Sequence, residues 1–304
     1  MSAAPHRDDL EGRLTRPKLH AVLAAVCDRM GFDATGAELI KFTNNAVFRL
    51  ARVPVVVRIA GSATMRQRAA KVVQVARWLA DHDIPAVRLL PDVEQPMEID
   101  GQLATLWQAV PAAGPTPTGA DLGRLLRQLH GISTAPVDLP GWNPVVGIRS
   151  RLADAEGIDA DDQRYLLAVC DEVEAAVATV EYVLPQGFVH GDATVANLIP
   201  GPAGPVLCDF DSSSVGPREW DLTPVATGYF RFANRINNLA LLATTYRFDI
   251  TTWEGFPTFR RLRELQLVTS VVPVLLSNPG HREQWAYRLH TFRKGDLAAK
   301  WTLY

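Results

Sequence analysis

Apolar positions in the first third of the chain change period three times. In "LHAVLAAVCDRMGF" the residues Leu19, Val22, Leu23, Val26 and Met30 recur at three- and four-residue steps, which predicts a helix that Gly31 closes. "AELIKF", "NAVFRLA" and "PVVVRIAG" are short β-branched or aromatic runs parted by turn residues, the pattern of an antiparallel meander. Helical spacing returns in "MRQRAAKVVQVARWLADHD" through Val72, Val75, Ala76 and Leu79. After Pro85, "AVRLL", "MEID" and "QLATLWQAV" predict further strands, with Asp100-Gly101 as a tight hairpin.

The stretch "PAAGPTPTGA" interrupts every period with three prolines and is the predicted linker. It divides an N-lobe, 1–110, from a C-lobe, 111–304. In the C-lobe "DLGRLLRQLHGI" and "DDQRYLLAVCDEVEAAVATVEYVL" predict helices, with Asp121 and Asp161 as caps. Short strands follow at "GFVHG", "NLIP" and "PVLCDFD". Three long helical patterns close the chain, in "ATGYFRFANRINNLALLATTYRF", "FPTFRRLRELQLVTSVVPVLL" and "REQWAYRLHTFRKG". The expected class is α+β, a bilobal arrangement of a strand-rich N-lobe and a mainly helical C-lobe.

Composition narrows the partners. With 304 residues and 47% hydrophobic content, two cores are the default. Thirty-one basic against 33 acidic residues leave a net charge of −2, so no global field recruits nucleic acid or an anionic membrane. Cys27, Cys170 and Cys208 are odd in number and lie far apart, outside any zinc-ligand spacing. A reduced cytoplasm fits them, and the chain shows neither a signal peptide nor an apolar run long enough to span a bilayer.

The candidate chemistry lies in "FVHGDATVANLIPGPAGPVLCDFD", where three carboxylates, a histidine and an asparagine sit between apolar runs. Asp192 ends one strand, Asn197 opens the next, and Asp209 ends a third twelve residues on. If these strands pair, the three side chains converge at one edge. A neutral and an anionic oxygen ligand suit Mg²⁺, which shares its other positions with water and substrate phosphates. A nearby carboxylate can then accept the proton of a hydroxyl. Those are the requirements for phosphoryl transfer from a nucleoside triphosphate.

The full pattern, H-G-D-x₄-N followed by D-x-D, resembles the aminoglycoside phosphotransferase family, small-molecule kinases of the protein-kinase-like fold. "HGDATVAN", "LCDFDSSSVGPREWDL" and "TNNAVFRL" before "VVVRIA" carry the resemblance, which runs through nearly the whole chain. It implies Asp192 as catalytic base, Asn197 and Asp209 as metal ligands, and His190 as a residue shaping the catalytic loop. Asp211 is implied as a further ligand through the strand alternation that would turn both carboxylates to one face. Asp221 matches an acid that braces the loop from below.

In the N-lobe the resemblance implies a phosphate-binding turn at Thr43, Asn44 and Asn45, and a hinge with Gln108 to Val110 facing the nucleotide base. Arg58 stands where the family places a lysine on the α- and β-phosphates, and the helix after it offers no glutamate to hold that cation. Arg58 is therefore expected to be held differently, or ATP affinity to be modest. The implied cofactors are ATP, or GTP, and Mg²⁺, and the partner is a small hydroxylated acceptor such as an aminoglycoside, amino sugar or other metabolite. The same departures at Arg58 motivate the alternative of a nucleotide-binding pseudokinase that senses without turnover. Protein kinase activity is disfavoured, since no DFG, APE or activation segment appears between Asp209 and Asp221.

Charge bears on the acceptor. From Leu222 to Tyr304 there are eleven Lys or Arg and five Asp or Glu, a basic balance that weakens a polycationic substrate. The acids gather instead in "ADAEGIDADDQ", either an acceptor-side surface or a solvated loop. Tyr229, Phe230, Phe232 and Trp253 either stack on a sugar ring or belong to the core.

Overall fold

A computed structural model describes residues 16–42, 45–61, 63–155, 157–233, 235–276 and 278–304. In chain order its elements are α1 (Arg16–Met30), β1 (Glu38–Phe42), β2 (Asn45–Arg49), β3 (Val55–Ala60), α2 (Ala63–Asp81), β4 (Met97–Ile99) and β5 (Gln102–Gln108). There follow α3 (Gly119–His130), α4 (Pro144–Ala153), α5 (Ala160–Val177), β6 (Gln186–Val189), β7 (Leu198–Gly201), β8 (Gly204–Leu207) and β9 (Ser214–Pro217). The chain ends in α6 (Glu219–Arg231), α7 (Asn238–Tyr246), α8 (Phe256–Thr269) and α9 (Arg282–Arg293). No helix among the described residues is long and apolar enough to cross a membrane.

By its contacts the chain forms two units, one of residues up to Pro115 with 198–213, the other of 116–197 with 214–304. The first is built on one antiparallel sheet in the order β1-β2-β3-β5-β4. Its alternating pattern fills one face: Phe48, Val57, Ile59 and Leu106 are fully buried and pack with Leu19, Leu23 and Val26 of α1. Each such side chain contributes roughly 1.5–3 kcal/mol by leaving water. β7 and β8 add a hairpin to this unit. The expected strand "AVRLL" forms only isolated bridges, from Ala86 to Leu207 and from Leu89 to Trp107. Within it the Arg88 guanidinium donates to the carbonyl of Ile84 at 2.8 Å.

The second unit is helical around an aromatic centre in which Trp142, Trp220, Trp253 and Phe259 meet at 5.0–5.6 Å. Trp253 thus belongs to the core. The strands β6 and β9 pair antiparallel within this unit. Neither β9 nor α4 is evident from periodicity, since each is short and its apolar residues do not alternate. The pattern predicted as one helix over "ATGYFRFANRINNLALLATTYRF" is two: Phe232 leaves α6 in an extended conformation, and the Asn237 side chain accepts the Ala240 N–H to start α7. Of the predicted caps, Asp121 lies at the third helical position and accepts the Thr118 N–H at 2.8 Å. Asp159, not Asp161, caps α5 by accepting the Asp162 N–H at 2.7 Å.

α3 and α7 approach so closely that a Cβ at Gly119 would overlap the Asn238 carbonyl. The Gly119 N–H also donates to Asn238 Oδ1 at 2.8 Å. Gly119→Ala is expected to lower stability by about 1–3 kcal/mol through this overlap, measured by denaturant unfolding.

The end of the chain is fastened by a buried cation. Arg231, fully buried, donates from Nε and Nη2 to the two oxygens of Glu264 at 2.6 and 2.7 Å. Its Nη1 donates to the carbonyls of Asp296 and Ala299, its own carbonyl accepts the Trp301 N–H at 2.6 Å, and its guanidinium stacks on the Trp301 ring.

Candidate active site

β6 carries Phe188 and Val189 into the core of the second unit, and the chain then turns at Gly191, whose φ of +84° suits glycine. The turn is held from beneath. Asp221, fully buried in the first turn of α6, accepts the N–H of His190 at 2.7 Å and of Gly191 at 2.8 Å. The Trp220 indole donates to the Gly191 carbonyl at 3.0 Å. His130, at the end of α3, donates from Nε2 to Asp221 at 3.2 Å, and its Nδ1 accepts the Tyr246 hydroxyl at 2.8 Å. A carboxylate serving three donors in a dry place fixes the backbone it serves.

The side chains named from the sequence in this loop meet. Asn197 closes a 3-10 turn, Val195–Asn197, and its Nδ2 donates to the Asp192 carbonyl at 2.8 Å and to Asp192 Oδ2 at 3.3 Å. The Nδ1 of His190 accepts the Asp192 N–H at 3.3 Å. Asp192 Oδ1 accepts from Nη2 of Arg263, on α8, at 2.6 Å. The strands flanking the loop do not pair with one another: β6 joins β9, and β7 joins β8.

Asp209 and Asp211 belong to the first unit. The strand alternation expected for them is absent. Asp209 takes a left-handed φ of +71° and Phe210–Ser212 is a 3-10 turn, with the Phe210 ring buried and its centroid 6.5 Å from that of Trp107. Arg58, on the central strand β3, forms an ion pair with Asp211. The acid absent from α2 is thus supplied by the D-x-D segment. α2 contributes a cation instead: Lys71 Nζ donates to the carbonyls of Asp211 and Ser213 at 2.7 and 2.9 Å. Lys41 of β1 lies 3.4 Å from Asp209 Oδ2. Burial pushes the Asp211 carboxyl up to about 6 against the pull of Arg58, and lowers the Lys71 ammonium to about 8. Burial also raises the neighbouring Cys208 thiol to about 12, which leaves it unreactive.

Asn45, Arg58, Thr105 and Asp211 line one small cavity of the first unit. Thr43 and Asn44 lie outside the described residues. In the segment expected as the hinge, the N–H groups of Gln108 and Ala109 are committed to the carbonyls of Arg88 and Pro54, at 2.9 and 2.8 Å. The side chain of Gln108 bonds to the Leu89 carbonyl, and Val110 packs beside Gly201. In "ADAEGIDADDQ", Asp159 caps α5, Asp161 pairs with Arg164 and Asp162 with Arg293.

Among the described residues no three His, Cys, Asp or Glu side chains group as a metal site. Asn197, in the helical unit, and Asp209, in the sheet unit, each offer oxygen, the donor type that Mg²⁺ takes. His130, Lys71, Lys41 and Arg263 were missed by sequence reasoning. His130 had a signal, as the titratable residue on the leucine face of α3. The lysines and Arg263 had none, since their partners lie 71 to 168 residues away.

Residues 40–265 match the model described as the phosphotransferase enzyme family. Solved structures similar to the chain include amicoumacin kinase hAmiN in complex with AMP-PNP, Ca²⁺ and Ami, at 14% identity and TM-score 0.66, covering 97% of this chain and 98% of that one. A microcompartment-associated aminopropanol kinase matches at 18% and 0.64, covering 91% and 95%. A choline/ethanolamine kinase family protein from Mesorhizobium loti matches at 18% and 0.62, covering 91% and 93%. No curated protein matches the chain. The shared architecture is the protein-kinase-like fold.

Proposed function

The chain belongs to the phosphotransferase enzyme family, and we propose that within it this protein moves the γ-phosphoryl group of ATP to a hydroxyl of a small molecule. The observation that carries the reading is the loop in which Asp221 holds the backbone of His190 and Gly191 while Asn197 ties down Asp192. That arrangement presents a carboxylate in a fixed place, which is what general-base catalysis requires.

Asp192 takes the proton of the acceptor hydroxyl as its oxygen bonds to the γ-phosphorus. The bond from that phosphorus to the bridging oxygen breaks, and ADP leaves. Arg58 binds the α- and β-phosphates, exchanging Asp211 for them. Asn197 and Asp209 would hold Mg²⁺, with Asp211 as a further ligand. The ion, when bound, neutralises charge on the β- and γ-phosphates. Asn45 contacts the phosphates, and the carbonyl side of the 108–110 segment faces the nucleotide base. His190 and Asp221 keep the loop in shape.

The test is incubation with Mg-ATP and a panel of hydroxylated acceptors, from amino sugars to sugar acids. ATP is expected to be consumed with at least one of them. Mg-ATP at a hundred times its Kd is expected to add about 2.7 kcal/mol of stability, seen as a higher melting temperature. ATP with a chelator should give little of that rise. Binding without turnover across the panel would favour the sensor reading.

A further inference from the structure

The contact between Asp192 and Arg263 sets the charge of the place where an acceptor must bind. Arg263 approaches from α8 with its side chain 14% exposed, and Asp192 is 36% exposed. Nη2 holds Asp192 Oδ1 at 2.6 Å, and Nη1 holds Gln266 Oε1 at 3.0 Å. The backbone carbonyl of Gln266 accepts from Arg151 of α4 at 3.1 Å. The acids of the surrounding helices are spent on other cations: Glu264 on Arg231 and Arg260, Glu172 on Arg261, Asp171 and Glu174 on Arg149. The guanidinium of Arg263 thus stands directly against the single carboxylate of Asp192. An ammonium-bearing acceptor would enter a field that repels it, whereas an anionic oxygen group would find a planar fork that matches its geometry.

Resting on the phosphotransferase reading, we infer that Arg263 is the acceptor-recognition residue, and that the acceptor is a hydroxylated small molecule with a carboxylate or phosphate ester close to the reacting hydroxyl. The acceptor's anion takes Arg263 from Asp192. Oδ1 is then available to receive the hydroxyl proton as the new O–P bond forms and ADP departs.

The experiment compares matched acceptors that differ only in charge, such as glycerate, glycerol phosphate, glycerol and aminopropanol, and gluconate, glucose and glucosamine, for the wild type and for Arg263→Ala, Arg263→Lys and Arg263→Glu. The expected result is a preference for an anionic member within at least one set. Arg263→Ala should raise its KM by about 10- to 100-fold, the weight of a charged hydrogen bond, and leave the KM for Mg-ATP unchanged. Arg263→Lys should restore part of the loss, and Arg263→Glu should shift preference towards the amine. Carboxylate and phosphate probes separate the two sources of the anion. Equal or better use of the amine by the wild type, or an unchanged charge preference in Arg263→Ala, overturns the inference while the phosphotransferase reading stands. A panel silent at every charge, with Mg-ATP bound, overturns both.

Discussion

Asp192→Asn is expected to lower turnover by about 10²- to 10⁴-fold, the share a positioned general base contributes. The amide fills the same volume and keeps one oxygen for Arg263, and the main-chain carbonyl of the residue still accepts from Asn197, so the loop keeps its main anchor while the weaker side-chain contact with Asn197 is lost. What disappears is the ability to take a proton. The Mg-ATP melting shift should therefore survive while steady-state transfer falls. A loss below tenfold would remove Asp192 from its role as base, because positioning alone accounts for what remains. The same substitution separates two readings of this loop: a sensor would lose nothing that a transfer assay measures.

The second large effect is on stability. Arg231→Ala is expected to cost about 3–5 kcal/mol, the range found when one partner of a buried ion pair is removed. The substitution leaves Glu264 with Arg260 as its remaining ion-pair partner, deprives the carbonyls of Asp296 and Ala299 of their donor, and opens a space beside Trp301. Denaturant unfolding gives the magnitude. Arg231→Met with Glu264→Leu should recover part of it, since both buried charges then go together. Failure of the double variant to improve on Arg231→Ala would mean that the lost carbonyl contacts and packing, together with the Arg260 guanidinium left without Glu264, outweigh the removal of the buried pair.

The elements read most easily were those whose period is local. β-branched runs such as "VVVRIA" became β3, and the strict helical faces of "LHAVLAAVCDRM" and "DLGRLLRQLH" became α1 and α3. The loop from His190 to Asn197 was likewise visible, since its polar residues stand between buried strands and their spacing is within one turn's reach. Other features depend on tertiary partners. The D-x-D segment turns out of a strand where the Phe210 ring is buried, a placement that the neighbours of Asp209 do not reveal. The ion pairs of Arg58 with Asp211 and of Arg263 with Asp192 join residues 153 and 71 positions apart. Periodicity says nothing about such pairs. The absent helix glutamate was nonetheless a usable sign, because a half-buried guanidinium in a central strand must find an acid elsewhere.

Neither contact-defined unit is a continuous stretch of chain, for residues 198–213 leave the helical unit to complete the one built on the sheet. During synthesis the sheet must therefore wait for its last hairpin until some eighty intervening residues, 116–197, have left the ribosome. The helical unit waits longer, until Trp301 has emerged to meet Arg231. No single cleavage of the polypeptide releases either unit whole, and expressing residues 16–115 alone would leave Arg58 without its acid.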